Sequence, residues 1–231
     1  MIDFIFVVEK PASWHYKNLD RHRMHYSFAA NLHSSMMTSL SDRLGAGVYF
    51  NPKVQMPHGV IKYGVVGMDD LLRDLWTWDS LIVAGRLHKP VHHIVRDPAV
   101  MKAAAANLNA AMAASLLLLP KDFSTKDLLE CLCGLSYRGD VRVGIAEDRD
   151  KVRRIVKGSF EALQELYHPH TQMVFKQRGA HDIVHAAISR IVRRSSLRQA
   201  LLGGLTAGAT KGFTYLSAKV RKCWKGSTDA V

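Results

Sequence analysis

Five short stretches carry residues of the kinds that handle phosphate. Asp3 is the single carboxylate in the apolar run IDFIFVV at residues 2–8, and Lys62 sits inside IKYG at 61–64. Arg86 and Lys89 lie in AGRLHKP at 84–90, and Tyr137, Asp140 and Arg142 in SYRGDVR at 136–142. RRSSLRQ at 193–199 sets Ser195 and Ser196 between arginines, Arg198 among them. Carboxylates hold divalent cations against phosphates, and lysine and arginine neutralise the charge that remains. Taken singly, each stretch reads more simply as a solvated basic loop or an exposed strand end. Lys62 fits that simple reading least well, because a lysine in an apolar strand needs a partner or loses several kcal/mol to desolvation.

The elements that must position these residues follow from periodicity and punctuation. Residues 2–8 read as a strand with both faces apolar except for Asp3, and therefore as buried on both sides; it ends before Pro11. One or two helices are expected over 12–43, a strand over AGVYF at 46–50, a two-proline turn over 51–57, and a further strand over 59–66. Helical spacing with acids near its start marks 68–78. A short apolar run and a basic loop fill 80–95. Alanine-rich helix follows from Pro98 to Leu119. Ser124, three residues before Asp127, is a weak capping pattern for a helix over 124–134. The stretch 136–144 reads as a polar turn leading into a short extended piece, 147–167 as one charged helix, 168–180 as irregular, and the remainder as helical and basic. Strands come first and helices second, which makes the class α+β in two units with a boundary near residue 96.

Composition narrows the partners. Among 231 residues, 48% are hydrophobic, ordinary for a folded domain, and 32 Lys and Arg against 20 acids give a net charge of +12. That excess fits a polyanionic partner: nucleic acid, nucleotide phosphates or an anionic membrane. Cys131, Cys133 and Cys223 give neither a disulfide framework nor a zinc pattern, and Cys131 and Cys133 are expected in the core. His88, His92 and His93 cluster with no acid or cysteine at metal-ligand spacing, so structural or surface roles are expected. The best membrane-spanning candidate, 103–119, is short and contains Asn107 and Asn109; a buried helix is the better reading. No signal or transit peptide is visible at the start of the chain.

Six stretches carry a resemblance when taken in order: DFIFVVEKPASWHYKNLDRHRMHYSF (3–28), GAGVYFNP (45–52), IKYGVV (61–66), DLWTWDSLIVAGRLHKPV (74–91), LCGLSYRGDVRV (132–143) and IVRRSSLRQALLGGLTAG (191–208). Together they resemble the mitochondrial phosphatidate cytidylyltransferases of the Tam41/Mmp37 type. The resemblance covers nearly the whole chain. It implies a polymerase-β-like nucleotidyltransferase domain at 1–95, a helical winged-helix-like domain at 96–180, and a basic helical C-terminal region at 181–231. It implies conversion of CTP and phosphatidate to CDP-diacylglycerol and diphosphate, upstream of phosphatidylglycerol and cardiolipin. The setting it implies is the matrix side of the mitochondrial inner membrane. Magnesium (Mg2+) is the implied cofactor, with Asp3 as its ligand. Lys62, Arg86 and Lys89 would face phosphates of CTP or phosphatidate, and Arg142, Ser196 and Arg198 are further phosphate candidates.

Three departures stand beside the resemblance. Family members carry a strand and a YGSGVF-like turn before the stretch that opens this chain, so the chain reads as N-terminally truncated, Asp3 as half of a site, and little turnover is expected from the shortened form. The joint between MVFK (173–176) and the following helix is short, and Arg194 replaces a usual proline. Two alternatives remain open: a non-catalytic membrane-associated remnant, and an RNA-binding nucleotidyltransferase-like protein. No basic stretch interleaved with aromatics supports the second, so no nucleic-acid partner is expected.

The tail has its own pattern. Phe213, Leu216, Val220 and Trp224 fall on one helical face, and Lys211, Lys219, Arg221, Lys222 and Lys225 fall off it. This predicts a basic amphipathic helix lying peripherally on anionic inner-membrane lipids.

Overall fold

The computed structural model describes residues 2–26, 47–142, 148, 150–170 and 184–202. Expectations for residues 27–46, 171–183 and the tail helix at 211–225 lie outside the described residues. The chain divides into two compact units. One is built on residues up to Leu71 together with the helix from Leu197, and the other on Leu72–Ser196. The division falls inside a helix, ahead of the boundary near residue 96 expected from composition.

The first unit holds a three-stranded sheet of order β1-β3-β2, with β1 Ile2–Val8, β2 Val48–Met56 and β3 Gly59–Gly67. β1 runs parallel to β3 and β2 antiparallel to it. One face packs on α1 (Pro11–Arg21): Tyr63, Val54 and Val65 are buried against Phe4, Val8, Ile61 and Trp14. The expectation of a β1 buried on both faces is corrected. None of its residues is fully buried, and Ile2 stands 62% exposed, because β1 pairs on only one side among the described residues. β2 also differs from expectation, since it continues through Pro52. The ladder shifts between Asn51 and Val54, and Lys53 takes a φ of 55°. A bulge on an outer strand needs no amide hydrogen at the proline.

Behind the sheet lies a polar network. Asn18 donates to the hydroxyls of Tyr26 (2.8 Å) and Tyr63 (2.9 Å), and His15 and His25 reach the same two hydroxyls through Nδ1 at 2.9 and 3.0 Å. Burial lowers the pKa of His15 to about 4, so it is neutral in the native fold. The unfolded chain takes up that proton near pH 6.5, and the folded one does not until about pH 4. Stability carried by neutral His15 is therefore present above pH 6.5 and lost as pH falls toward 4. Urea midpoints are expected to drop across that window, and the drop should shrink in His15→Gln; an equal slope in both proteins would exclude this origin.

The second unit is helical. α2 (Met68–Thr77) begins with Asp69 and Asp70 in the first unit, and its later residues belong to the second. α3 (Pro98–Leu118) is capped by Asp97, whose carboxylate accepts from Ala99 and Val100. It has the length and hydropathy of a membrane span, but it buries one stripe through Ala103, Asn107, Ala111 and Leu118 inside the unit. α4 (Thr125–Gly134) carries the full capping box between Ser124 and Asp127 and buries Cys131 and Cys133, as expected. The single helix expected over 147–167 is instead two, α5 (Lys151–Gly158) and α6 (Phe160–Tyr167), broken where Ser159 leaves helical geometry. α7 covers residues 184–202.

Candidate functional site

In the first unit, Asp3 and Lys62 are register partners across β1 and β3. Lys62 Nζ donates to Asp3 Oδ2 at 3.3 Å and lies 4.8 Å from the centre of the Phe50 ring. This is the partner that a lysine in an apolar strand requires. The Asp3 side chain is 49% exposed, so the pair contributes about 1 kcal/mol or less to stability. The Phe50 ring can lie over β3 because residue 64 is glycine; a Cβ there would stand 2.6 Å from the ring. Asp3 Oδ1 makes no hydrogen bond to the described residues, which leaves one hard oxygen donor open on a half-exposed strand. That suits magnesium as a single ligand, since this ion takes one or two carboxylates and completes its shell with water and phosphate. Among the described residues no group of three metal-ligating side chains forms around any point.

In the second unit, the loop after α2 carries Arg86 and Lys89, and a buried carboxylate holds it. Asp74 Oδ1 accepts from the Ser80 amide (2.8 Å), the Ser80 hydroxyl (2.9 Å) and the Leu81 amide (2.8 Å). Its Oδ2 accepts from the amides of Val83 and Ala84, both at 2.9 Å. Asn107 of α3 fixes the far side. Its Oδ1 accepts from the Trp78 indole at 2.7 Å and meets His88 Nε2 at 3.1 Å, and its Nδ2 donates to the Ala84 carbonyl at 3.0 Å. His88 is fully buried against Trp78, and burial lowers its pKa to about 3, so its role is structural.

Lys89 sits at the end of this brace. Its ammonium donates to the Gly85 carbonyl and, at 3.3 Å, to the Ser136 hydroxyl, both neutral acceptors. It stands 5.2 Å from the centre of the Tyr137 ring, and Lys151 of α5 stands 5.2 Å from the same ring. Burial brings the Lys89 pKa down to about 8; Arg86 and Lys151 push the same way, and Cys133 opposes them. A Cβ on residue 85 would lie 2.2 Å from that of Ser136, so only glycine lets the loop approach so closely. An enclosed ammonium bonded to neutral oxygens, with two more cations near, is suited to a phosphate. Its charge fades above about pH 8, so the KM for a phosphate substrate is expected to rise there. Lys89→Arg should flatten that rise; a KM independent of pH from 7 to 9 in the unaltered protein would contradict it.

The third pair of motifs also meets within this unit. Ser196 Oγ accepts from the Val141 amide at 3.3 Å and donates to the Arg193 carbonyl at 3.2 Å. Arg142 makes a two-pronged pair with buried Asp140, at 3.0 and 2.8 Å. Ser196 is thus a tie between the turn and α7, and Arg142 is held in one orientation. Arg198 is partly exposed on the part of α7 that belongs to the first unit, where Gln199 donates to the Val48 carbonyl at 3.2 Å. Asp74, Asn107 and Lys151 escaped the reading of the sequence. An acid late in a helix, where the dipole disfavours it, is the one signal that pointed to Asp74. Nothing separates Lys151 from the solvated charges of its helix.

The fold is α+β, a three-stranded sheet in one unit and helices in the other. The family model described as "Phosphatidate cytidylyltransferase, mitochondrial" (Tam41/Mmp37) matches residues 1–177 and 170–222. A protein of that name from Bos taurus is 35% identical over 284 aligned residues, covering 98% of this chain and 84% of the relative. The Mus musculus protein is 34% identical with the same coverage, and the Xenopus laevis protein is 45% identical over 169 residues, 72% of this chain and 50% of its own length. The chain belongs to the family of mitochondrial phosphatidate cytidylyltransferases. The two family matches meet near 170–177, beside the joint that the sequence marks as short. The alignment to the Bos taurus protein is longer than this chain's 231 residues, so that relative carries residues this chain lacks.

Proposed function

We propose that this protein transfers the cytidylyl group of CTP to phosphatidate. A phosphate oxygen of phosphatidate forms a bond to the α-phosphorus of CTP, the bond from that phosphorus to the β-phosphate oxygen breaks, and diphosphate leaves. CDP-diacylglycerol is the lipid product. The observation that carries the reading is the match across 98% of the chain to relatives bearing this activity as their name. The enclosed cations of the Arg86–Lys89 loop support it, because in-line phosphoryl chemistry depends mostly on positioning and charge neutralisation.

The finer assignments are part of the same proposal. Unit one corresponds to a nucleotidyltransferase domain of the polymerase-β-like kind, and the helical unit to a winged-helix-like domain. Magnesium, when bound, would draw charge from the triphosphate, and Asp3 would supply one carboxylate to it. Lys62 orients Asp3 and adds a positive charge beside it. Arg86 and Lys89 neutralise phosphate, and Arg142 and Arg198 are secondary phosphate contacts. Ser196 positions the turn that carries Arg142. The setting is the matrix side of the mitochondrial inner membrane, ahead of phosphatidylglycerol and cardiolipin, with the basic tail at 211–225 as a peripheral anchor.

The test is a CDP-diacylglycerol assay, read with labelled CTP so that even slow turnover is measured, on the protein and on Asp3→Asn. Asparagine keeps the shape and loses the charge, so magnesium-dependent turnover is expected to fall about a hundredfold or more with the thermal midpoint unchanged. Unchanged magnesium dependence in the variant would remove Asp3 from the site.

A further inference from the structure

Between the Lys89 brace and α3 the chain leaves the body of the second unit. His88 is pinned by Asn107, and its carbonyl accepts from the Tyr167 hydroxyl at 3.0 Å. At the other end Asp97 caps α3 with bonds of 2.9 and 3.1 Å. The intervening loop has a fixed base and an unattached tip. Val91, Ile94 and Val95 are 47%, 74% and 83% exposed. None of the residues 91–96 makes a hydrogen bond, ion pair or ring contact with the described residues. Three large aliphatic side chains within five positions are costly to leave in water, and single scattered ones would need no explanation. His92 and His93 stand among them, Arg96 follows, and no acid lies between Lys89 and Arg96.

We propose that the loop at 90–96 is a membrane-docking element that sets Val91, Ile94 and Val95 into the surface of an anionic bilayer containing phosphatidate. Aliphatic groups interspersed along the loop with His92, His93 and Arg96 match a bilayer interface, where acyl chains lie below a layer of phosphates. A protein partner would match the aliphatic tip equally well, but it would not account for the basic residues. The loop also begins at Lys89, so seating its tip brings the enclosed ammonium of the same unit toward the depth of lipid phosphates. The choice of phosphatidate as the anionic lipid rests on the cytidylyltransferase reading. The docking itself is measured without turnover, so the two can fail separately.

The experiment uses the full chain and sedimentation with vesicles of phosphatidylcholine, with and without phosphatidate. The unaltered protein is expected to sediment with the anionic vesicles. Because the tail at 211–225 is proposed as a second anchor, Ile94→Asp with Val95→Asp is compared with the unaltered loop in a Phe213→Ser, Trp224→Ser background, where it should weaken binding about tenfold or more. Ile94→Trp keeps the site apolar and reports depth: its added fluorescence should be quenched by lipids brominated along the acyl chain. Equal sedimentation with and without the loop substitutions in that background, equal binding to neutral vesicles, or an unquenched tryptophan at 94 would each overturn the proposal; the last would direct the search to a protein partner.

Discussion

Asp74→Ala is expected to destabilise the protein by about 3–5 kcal/mol. The carboxylate accepts five hydrogen bonds, four of them from backbone amides of residues 80–84. Asp74 is 5% exposed, so those amides would be left without a partner and largely without water. Asparagine would not rescue it, because its NH2 group would face donors rather than acceptors. Activity should fall with stability, since the freed loop carries Arg86 and Lys89. The check is the urea midpoint together with hydrogen exchange at Val83 and Ala84. A midpoint shift under 1 kcal/mol, with those amides still protected, would contradict this account of the loop.

Lys89→Gln has the largest expected effect on catalysis. Its ammonium is enclosed, and among the described residues it bonds only to the Gly85 carbonyl and the Ser136 hydroxyl. The fold therefore bears the cost of confining that charge, and a bound phosphate would relieve it. Glutamine removes the charge without removing bulk, so the thermal midpoint should hold or rise. The value of kcat/KM should fall on the order of a hundred- to a thousandfold, as when a charge-stabilising donor is lost. Retention of kcat/KM within about threefold would show that phosphate is gripped elsewhere.

Local signals in the sequence located β1, β3, α3 and α4, because short apolar runs, helical spacing and a capping box act over a few residues. The passage of β2 through Pro52 was not legible. A proline reads as a turn until the partner strand is known, and here the bulge at 51–54 absorbs it. The exposure of β1 has the same origin: apolar composition records what a strand could bury, and neighbours decide what it does bury. The break at Ser159 depends on packing and has no proline to announce it.

The candidate site divides similarly. Asp3 and Lys62 stood out in the sequence as charges in apolar strands, whereas Arg86 and Lys89 read as a basic loop and became candidates through the family resemblance. Their partners were not legible, since the Asp3–Lys62 register needs the parallel pairing of β1 and β3. Asp74 and Asn107 act through bonds to backbone groups, which the sequence does not display. Lys151 became visible only when α5 placed it over Tyr137.

The central claim is that the α-phosphorus of CTP passes to phosphatidate, and label position tests it most directly. The purified protein is supplied with magnesium, phosphatidate vesicles and CTP labelled either at the α- or at the γ-phosphate. Whatever the rate, label from the α-position should enter the lipid phase as CDP-diacylglycerol, and label from the γ-position should remain in water as diphosphate. Lipid that carries γ-label, or α-label released only as water-soluble CMP, would contradict the account.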